Sequence, residues 1–253
     1  MNVFITGASS GLGAALAAHY AGRGARLGLV ARRETELAEV ARGLSGEPAT
    51  YLADVADARA MHDAAQDFMR RFGVPDIVIA NAGVSVGTLT EHPEDLAAFE
   101  RLMRTNVIGL AATFQPFVAP MREAGRGRLV GIASVAGMRG IPGAGAYSAS
   151  KSAAITYLES LRIELRPSGV KVVTVCPGYV ATPMTAVNKY RMPFILPADV
   201  AARRIARVID AGRGYAVVPW QMALVARAMK LLPNPIYDRL FKRAGRKPRG
   251  LKL

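Results

Sequence analysis

Cysteine is almost absent from this chain: Cys176 stands alone among 253 residues. A single thiol cannot form an internal disulfide, so the fold must rest on its core, and a reducing compartment is the natural setting. Cys176 ends an apolar run before Pro177-Gly178, which suits a small core residue better than a nucleophile. Histidine is scarce as well: His19, His62 and His92 share no metal-ligand spacing, and no metal is expected. No uncharged apolar stretch approaches the ~18 residues of a membrane-spanning helix. Met1-Asn2-Val3-Phe4-Ile5 enters a strand pattern at once, so no targeting peptide is expected ahead of it. Acid is in short supply, with 19 Asp and Glu against 33 Lys and Arg, a net charge of +14. From Trp220 onward nine basic residues face one acid, Asp238, so the tail is strongly basic and the body only mildly so.

What is present is apolar material, 51% of the chain, in a regular alternation. Short runs rich in Val, Ile and Leu occur at residues 2–6, 26–31, 50–53, 77–81, 127–132 and 171–176, with a seventh near 215–218. Near-continuous hydrophobicity is how strands of a parallel sheet covered on both faces read. Helical patterns fill the gaps at 11–23, 33–45, 58–72, 98–121, 146–165 and 198–211. The expectation is a single α/β domain, a Rossmann-type doubly wound parallel sheet of about seven strands over residues 1–219, followed by a basic amphipathic helical extension over 220–253.

The first strand runs into Thr6-Gly7-Ala8-Ser9-Ser10-Gly11-Leu12-Gly13 and then an alanine-rich helix. Glycines permit a tight turn and a close backbone approach to a pyrophosphate, and the helix N-terminus offers free N–H groups at its positive end. The strand before and the helix after give this turn the context of a dinucleotide site. At the end of the second strand stands Ala31-Arg32-Arg33, with no acid before Glu34. An acid there would accept bonds from ribose hydroxyls; two guanidinium groups suit a 2′-phosphate, so NADP(H) is preferred over NAD(H).

Tyr147 and Lys151 are four residues apart on a predicted helix, which places phenol and ammonium on one face. A phenol ordinarily titrates near ~10, and a fixed positive charge beside it should lower that value. Ser134, thirteen residues upstream, adds a hydroxyl that can hold a substrate oxygen. The three together suit a reaction that moves a proton on or off oxygen.

Taken in order, Thr6-Gly7-x-x-x-Gly11-x-Gly13, Asp54-Val55, Asn81-Ala82-Gly83, Asn106, Ser134, Tyr147-x-x-x-Lys151, Pro177-Gly178 and Thr182 resemble the short-chain dehydrogenase/reductase family, in its single-domain branch. The resemblance spans roughly residues 2–218 and implies roles. Tyr147 would be the general acid or base. Lys151 would tune it and hold the nicotinamide ribose, and Ser134 would bind the substrate carbonyl. Asn106 would hold a relay water, and Asp54, with Val55 beside it, would contact adenine. Asn81, Ala82 and Gly83 would brace the sheet beside the cofactor. Pro177, Gly178, Val180 and Thr182 would lie along the nicotinamide, while Gly7, Ser9, Ser10, Gly11, Leu12, Gly13, Arg32 and Arg33 would hold the rest of the dinucleotide.

Residues 179–196, in the family a lid over the substrate, carry Tyr179, Met184, Tyr190, Met192 and Phe194, which suits a lipophilic substrate or simply a lid packed on its own domain. The tail mixes apolar residues with Arg and Lys. That composition fits an anionic membrane surface, and it also fits a helix packed in a homodimer or homotetramer, followed by a frayed basic end. No DNA-reading module is recognisable, which argues against nucleic acid. The expected activity is NADP(H)-dependent interconversion of a carbonyl and a secondary alcohol in the cytoplasm, with peripheral placement on the inner face of a membrane open. A 3-oxoacyl or 3-ketosphinganine-like lipid reductase is the narrower alternative. A non-catalytic dinucleotide sensor is the other class, against which the intact Ser134, Tyr147 and Lys151 set argues. A nucleotide-sugar epimerase or dehydratase would need a larger substrate domain.

Overall fold

The computed structural model describes residues 1–242 and 244–250. Seven strands form one parallel sheet: β1 Asn2–Thr6, β2 Arg26–Ala31, β3 Ala49–Leu52, β4 Ile77–Ala80, β5 Arg128–Ile132, β6 Lys171–Pro177 and, at the far edge, β9 Tyr215–Val218. Their order is β3-β2-β1-β4-β5-β6-β9. Two short strands outside it, β7 Val180–Ala181 and β8 Leu196–Pro197, pair with each other at the base of the lid. The strand order reverses between β1 and β4, and a crevice opens at the carboxyl ends of the strands there, the usual ligand site of open α/β sheets.

Alternate side chains of each strand enter opposite layers. Val3 and Ile5 of β1, with Leu27, Leu29, Ile77, Ile79, Val130 and Val173, pack under α1 Gly11–Ala21 and α8 Ala198–Asp210. Phe4, Val30, Val78, Leu129 and Val172 face the other way, under α3 Ala58–Phe72, α5 Gly109–Glu123 and α6 Gly145–Glu164. Phe4 meets Phe68 and Phe117 with ring centroids 5.3 and 4.9 Å apart. Burying a side chain of that size contributes about 1.5–3 kcal/mol, so both layers hold the sheet flat against its helices. The shorter α2 Glu34–Arg42 leans on the first layer through Leu37. Asp57 caps α3, accepting bonds from the Arg59 and Ala60 amides.

One predicted helix is not continuous. The pattern over 98–121 is divided into α4 Asp95–Met103, a π-helical turn Arg104–Ile108, and α5. The wider turn accommodates an extra residue and buries Thr105 and Asn106. Hydrophobic periodicity barely registers one inserted residue, whereas such turns are frequent at functional sites.

The C-terminal region folds back onto the domain. A short lid helix, α7 Pro183–Ala186, follows β7, and α9 Trp220–Leu231 and α10 Asn234–Phe241 follow β9. Met222 of α9 packs where a Cβ on Gly178 would sit, 2.6 Å away. Arg139 satisfies the carbonyl end of α9 by donating to the Met229 and Leu232 carbonyls, binds Asn234 Oδ1 at 2.8 Å, and lies 3.8 Å from the Tyr237 ring centre. A cation at a helix C-terminus is favourably placed. The Tyr237 hydroxyl donates to the Gly140 carbonyl at 2.7 Å.

Candidate active site

The glycine-rich turn is built as its sequence demands. Gly7 and Gly11 have φ of 67° and 56°, in the left-handed region that disfavours any side chain. A Cβ on Gly13 would lie 2.2 Å from the Gly7 carbonyl and 2.6 Å from Asn81 Nδ2, so the first turn of α1 can approach this closely only without one. Asn81 locks the turn, donating to the Thr6 and Gly7 carbonyls at 3.0 and 3.2 Å, while Thr6 Oγ1 accepts the amides of Asn81 and Ala82. Ser10 makes no side-chain cap, and the first turn of α1 holds no acid. Its free amides and positive end therefore stay open to an anion, the fit a dinucleotide phosphate requires.

A cleft of about 280 Å³ opens above this turn. Of the residues expected at a cofactor, Gly7, Ser9, Ser10, Gly11, Leu12, Arg32, Arg33, Asp54, Val55, Asn81, Ala82, Gly83, Tyr147, Lys151, Pro177, Gly178, Val180 and Thr182 all line it, as does Ser134. Gly13 lies behind the wall, packed on Gly7, and Asn106 lies below it. Arg33 reaches across to Ser9 Oγ at 3.0 Å and Ser10 Oγ at 2.7 Å, and Arg32 meets Asp54 Oδ2 at 3.2 Å. Asp54 also accepts the Ala56 amide at 2.9 Å; the capping of α3 belongs to Asp57.

At the opposite end Ser134 and Tyr147 line the cleft together, with the serine hydroxyl near enough to favour ionisation of the phenol. Ser134 Oγ accepts the Ala136 amide at 3.1 Å, which leaves its own proton free to point at the phenol. Lys151 Nζ donates to the Ile132 carbonyl at 2.9 Å and lies 6.0 Å from the Tyr147 ring centre. Lys151 is 5% exposed, and burial holds its ammonium down to about 8. The expected lowering of the Tyr147 phenol does not occur in the protein by itself. Burial pushes it up, and the nearby Ser134 hydroxyl only partly opposes that. At 6 Å and already bonded to a carbonyl, the ammonium does less for a phenolate than loss of water does against it. Tyr147 is thus held as a neutral phenol, the form that donates a proton.

Asn106 is more than a helix interruption. From the π-helical turn, Oδ1 accepts the Val84 amide at 2.8 Å, and Nδ2 donates to the Val84 carbonyl and to Ser150 Oγ, both at 3.0 Å. A Cβ on Gly83 would sit 3.1 Å from Asn106 Oδ1 and 3.4 Å from Lys151 Nζ, so Gly83 is the gap between the two. Cys176 is fully buried, with its thiol pushed up by burial. Among the described residues no cluster of His, Cys, Asp or Glu could hold a metal ion.

Met184 lines the cleft from the lid segment where it was expected, whereas sequence reasoning missed Val30, Ala53, Val84, Thr105, Ile132, Ala133 and Thr185, which also line it. Thr185 had a readable signal: Thr182-x-x-Thr185 forms a reciprocal cap at the start of α7, with the Thr182 amide donating to Thr185 Oγ1 at 3.1 Å. The others carry no pattern: residues at or just past strand ends, and Thr105 in the π-helical turn, enter a cleft by position.

Comparison with known proteins bears on the family and the fold. Residues 1–192 match the family model for short chain dehydrogenases. The chain is 39% identical over 244 residues to an uncharacterised oxidoreductase of Myxococcus xanthus, covering 94% of this chain and 95% of that one. It is 37% identical over 226 residues to the 11-beta-hydroxysteroid dehydrogenase-like 3 of Arabidopsis thaliana, covering 86% and 72%. Among solved structures it is similar to levodione reductase, with a TM-score of 0.79 and 26% identity, covering 88% of this chain and 97% of that one. The 3-ketoacyl-(acyl-carrier-protein) reductase of Brucella melitensis, complexed with NADH, gives 0.77 and 26%, covering 86% and 96%.

Proposed function

Because the chain belongs to the short-chain dehydrogenase/reductase family and is an NAD(P)-dependent oxidoreductase acting on CH–OH groups, we propose that it interconverts a lipophilic ketone and its secondary alcohol with NADP(H), using Tyr147 as the proton donor and acceptor. The observation that carries this reading is the placement of Ser134, Tyr147 and the buried Lys151 together at one end of a cleft whose other end is the glycine turn.

When bound, the nicotinamide cofactor supplies or accepts the hydride. The chain does the rest. The α1 amides and the turn backbone hold the pyrophosphate, and Arg32 and Arg33 bind the 2′-phosphate, exchanging exposed contacts with Asp54, Ser9 and Ser10 for charge-assisted ones. Ser134 and Tyr147 together hold the substrate oxygen, and in reduction the Tyr147 hydroxyl gives it a proton. Lys151 then faces a phenolate that its ammonium favours far more than it favours the neutral phenol, so the charge acts when it is needed. Asn106, by fixing Val84 and Ser150 around Lys151, keeps that lysine in place. Met184 and Val180 supply apolar wall on the substrate side. A 3-oxoacyl or 3-ketosphinganine-like lipid is the narrower substrate reading, and an 11-beta-hydroxysteroid dehydrogenase-like relative extends the choice to ketosteroids. A screen of NADPH oxidation over ketosteroids, 3-oxoacyl esters, sphingoid ketones and small aldehydes tests it. Turnover of the bulky ketones with NADPH supports the reading; turnover confined to small aldehydes, or to NADH, contradicts it.

The tail suits a peripheral membrane contact. Trp220, Leu224 and Leu231 are exposed along one face of α9, opposite the buried Met222 and Ala226, and Ile236 and Leu240 are exposed on α10. Arg227, Lys230, Arg239 and Lys242 are exposed among them. Apolar side chains set in a field of cations match an anionic lipid surface, although none of the described helices is long and apolar enough to cross a membrane. The protein is expected to float with anionic vesicles and not with neutral ones. Failure to float with either excludes this placement and leaves the stripe to a homodimer or homotetramer contact.

A further inference from the structure

The basic end of the chain does not trail away. Residues 244–250 cross the substrate side of the cleft and touch three loops that the sheet alone would leave independent. The Gly87 amide, in the loop after β4, donates to the Pro248 carbonyl at 2.9 Å. Arg246 packs over Gly143 in the loop before α6, with side-chain carbons about where a Cβ on that glycine would lie, 2.9–3.0 Å away. Gly245 faces Tyr190 of the lid so closely that a Cβ there would sit 2.4 Å from Tyr190 Cβ. Lys247 is 9% exposed and donates to the Met184 carbonyl in the lid helix at 2.8 Å. Arg249 ends the crossing with bonds to Asp95 Oδ2 at 2.7 Å and Glu94 Oε1 at 3.0 Å at the start of α4.

We propose that this strap is a substrate-specificity element, in which Lys247 acts as a positioning residue that pins Met184 and the lid against the loops carrying Gly87 and Gly143, and so sets the length of substrate the cleft accepts beyond the reacting carbon. The inference rests on the carbonyl reductase reading given above. Met184 lines the cleft, so whatever fixes its backbone fixes a wall of the substrate site. Tyr190, held by the strap, is near enough to Tyr147 for that phenol to oppose ionisation of Tyr190, which places the pinned lid beside the reacting end. A lysine buried against a main-chain carbonyl is an expensive way to fill space, since an apolar side chain would cost no ammonium desolvation. Its donor holds one lid carbonyl in one position. Gly87 answers it from the opposite side: a Cβ there would lie 2.1 Å from the Lys247 carbonyl, so any larger residue pushes the strap away.

Two variants therefore loosen the strap from different elements, Lys247→Met and Gly87→Ala, and neither position touches the cofactor or the reacting atoms. With the full chain, NADPH and methyl ketones of rising length, each is expected to keep NADPH affinity within about twofold. Each is expected to raise KM for the best ketone roughly tenfold with a smaller change in kcat, and to flatten the length preference. Amide hydrogen exchange over 183–192 is expected to quicken in both. Lys247→Arg, which keeps a donor, is expected to retain the wild-type pattern. Unchanged length preference and unchanged lid exchange in both variants overturns the proposal. If wild type reduces no ketone, the reductase reading fails instead, and the strap is judged by lid exchange alone: faster exchange in both variants supports it, and unaltered exchange refutes it.

Discussion

The two halves of the cleft are built on different principles. On the cofactor side, between β1, β2 and β3, the walls are main chain: a left-handed glycine turn, open helix amides, and an asparagine that bonds carbonyls of the turn. On the substrate side, β7, α7 and the strap are held by side chains from far apart in the chain, Lys247 to Met184 and Arg249 to Asp95. Backbone walls fix a shape common to any dinucleotide. Side-chain walls leave shape adjustable, which is what a substrate site needs.

If this division holds, damage to one half should leave the other's affinity intact. The largest separation is expected from Arg32→Ala with Arg33→Ala. Losing two charge-assisted contacts should weaken NADPH by roughly ten- to a hundredfold, with little effect on NADH and none on ketone KM at saturating cofactor. Binding titrations with both dinucleotides read this directly, and equal losses for NADPH and NADH would remove the phosphate assignment. A smaller effect, of several-fold, is expected from pH, because Lys151 sits where the halves meet. Its ammonium, held down to about 8 by burial, loses its proton as pH rises through that value, while the Tyr147 phenol, pushed up, stays neutral. The reduction rate should be flat below about pH 8 and fall above it, in kcat rather than in cofactor affinity. Oxidation, which needs the phenolate, should run the other way. A reduction rate rising through pH 9 would mean that the two groups do not cooperate as described.

The same division explains what could be read from the sequence. The strands, the glycine turn and Tyr147-x-x-x-Lys151 are local patterns, each set by neighbours a few residues away, so their places in the chain are legible. The π-helical turn at Asn106 is one residue of excess inside an otherwise helical pattern, and periodicity averages it away. Lys247 reads as one more charge in a basic tail, because the contact that buries it is 63 residues distant. The rise of the Tyr147 phenol is hidden from the sequence for a related reason: spacing shows that a cation is near, but not how much water the fold removes. The helix boundaries moved by a few residues at most, the usual fraying of element ends.

The central claim is that Tyr147 delivers the proton while the glycine turn and arginines hold the dinucleotide independently of it. Tyr147→Phe tests this most directly, since it removes one hydroxyl and keeps the ring. Single-turnover reduction of the best ketone should fall by about 10²- to 10⁴-fold while NADPH binds as in wild type. Turnover within a few-fold of wild type, with NADPH bound, would show that the proton comes from elsewhere and contradict the account.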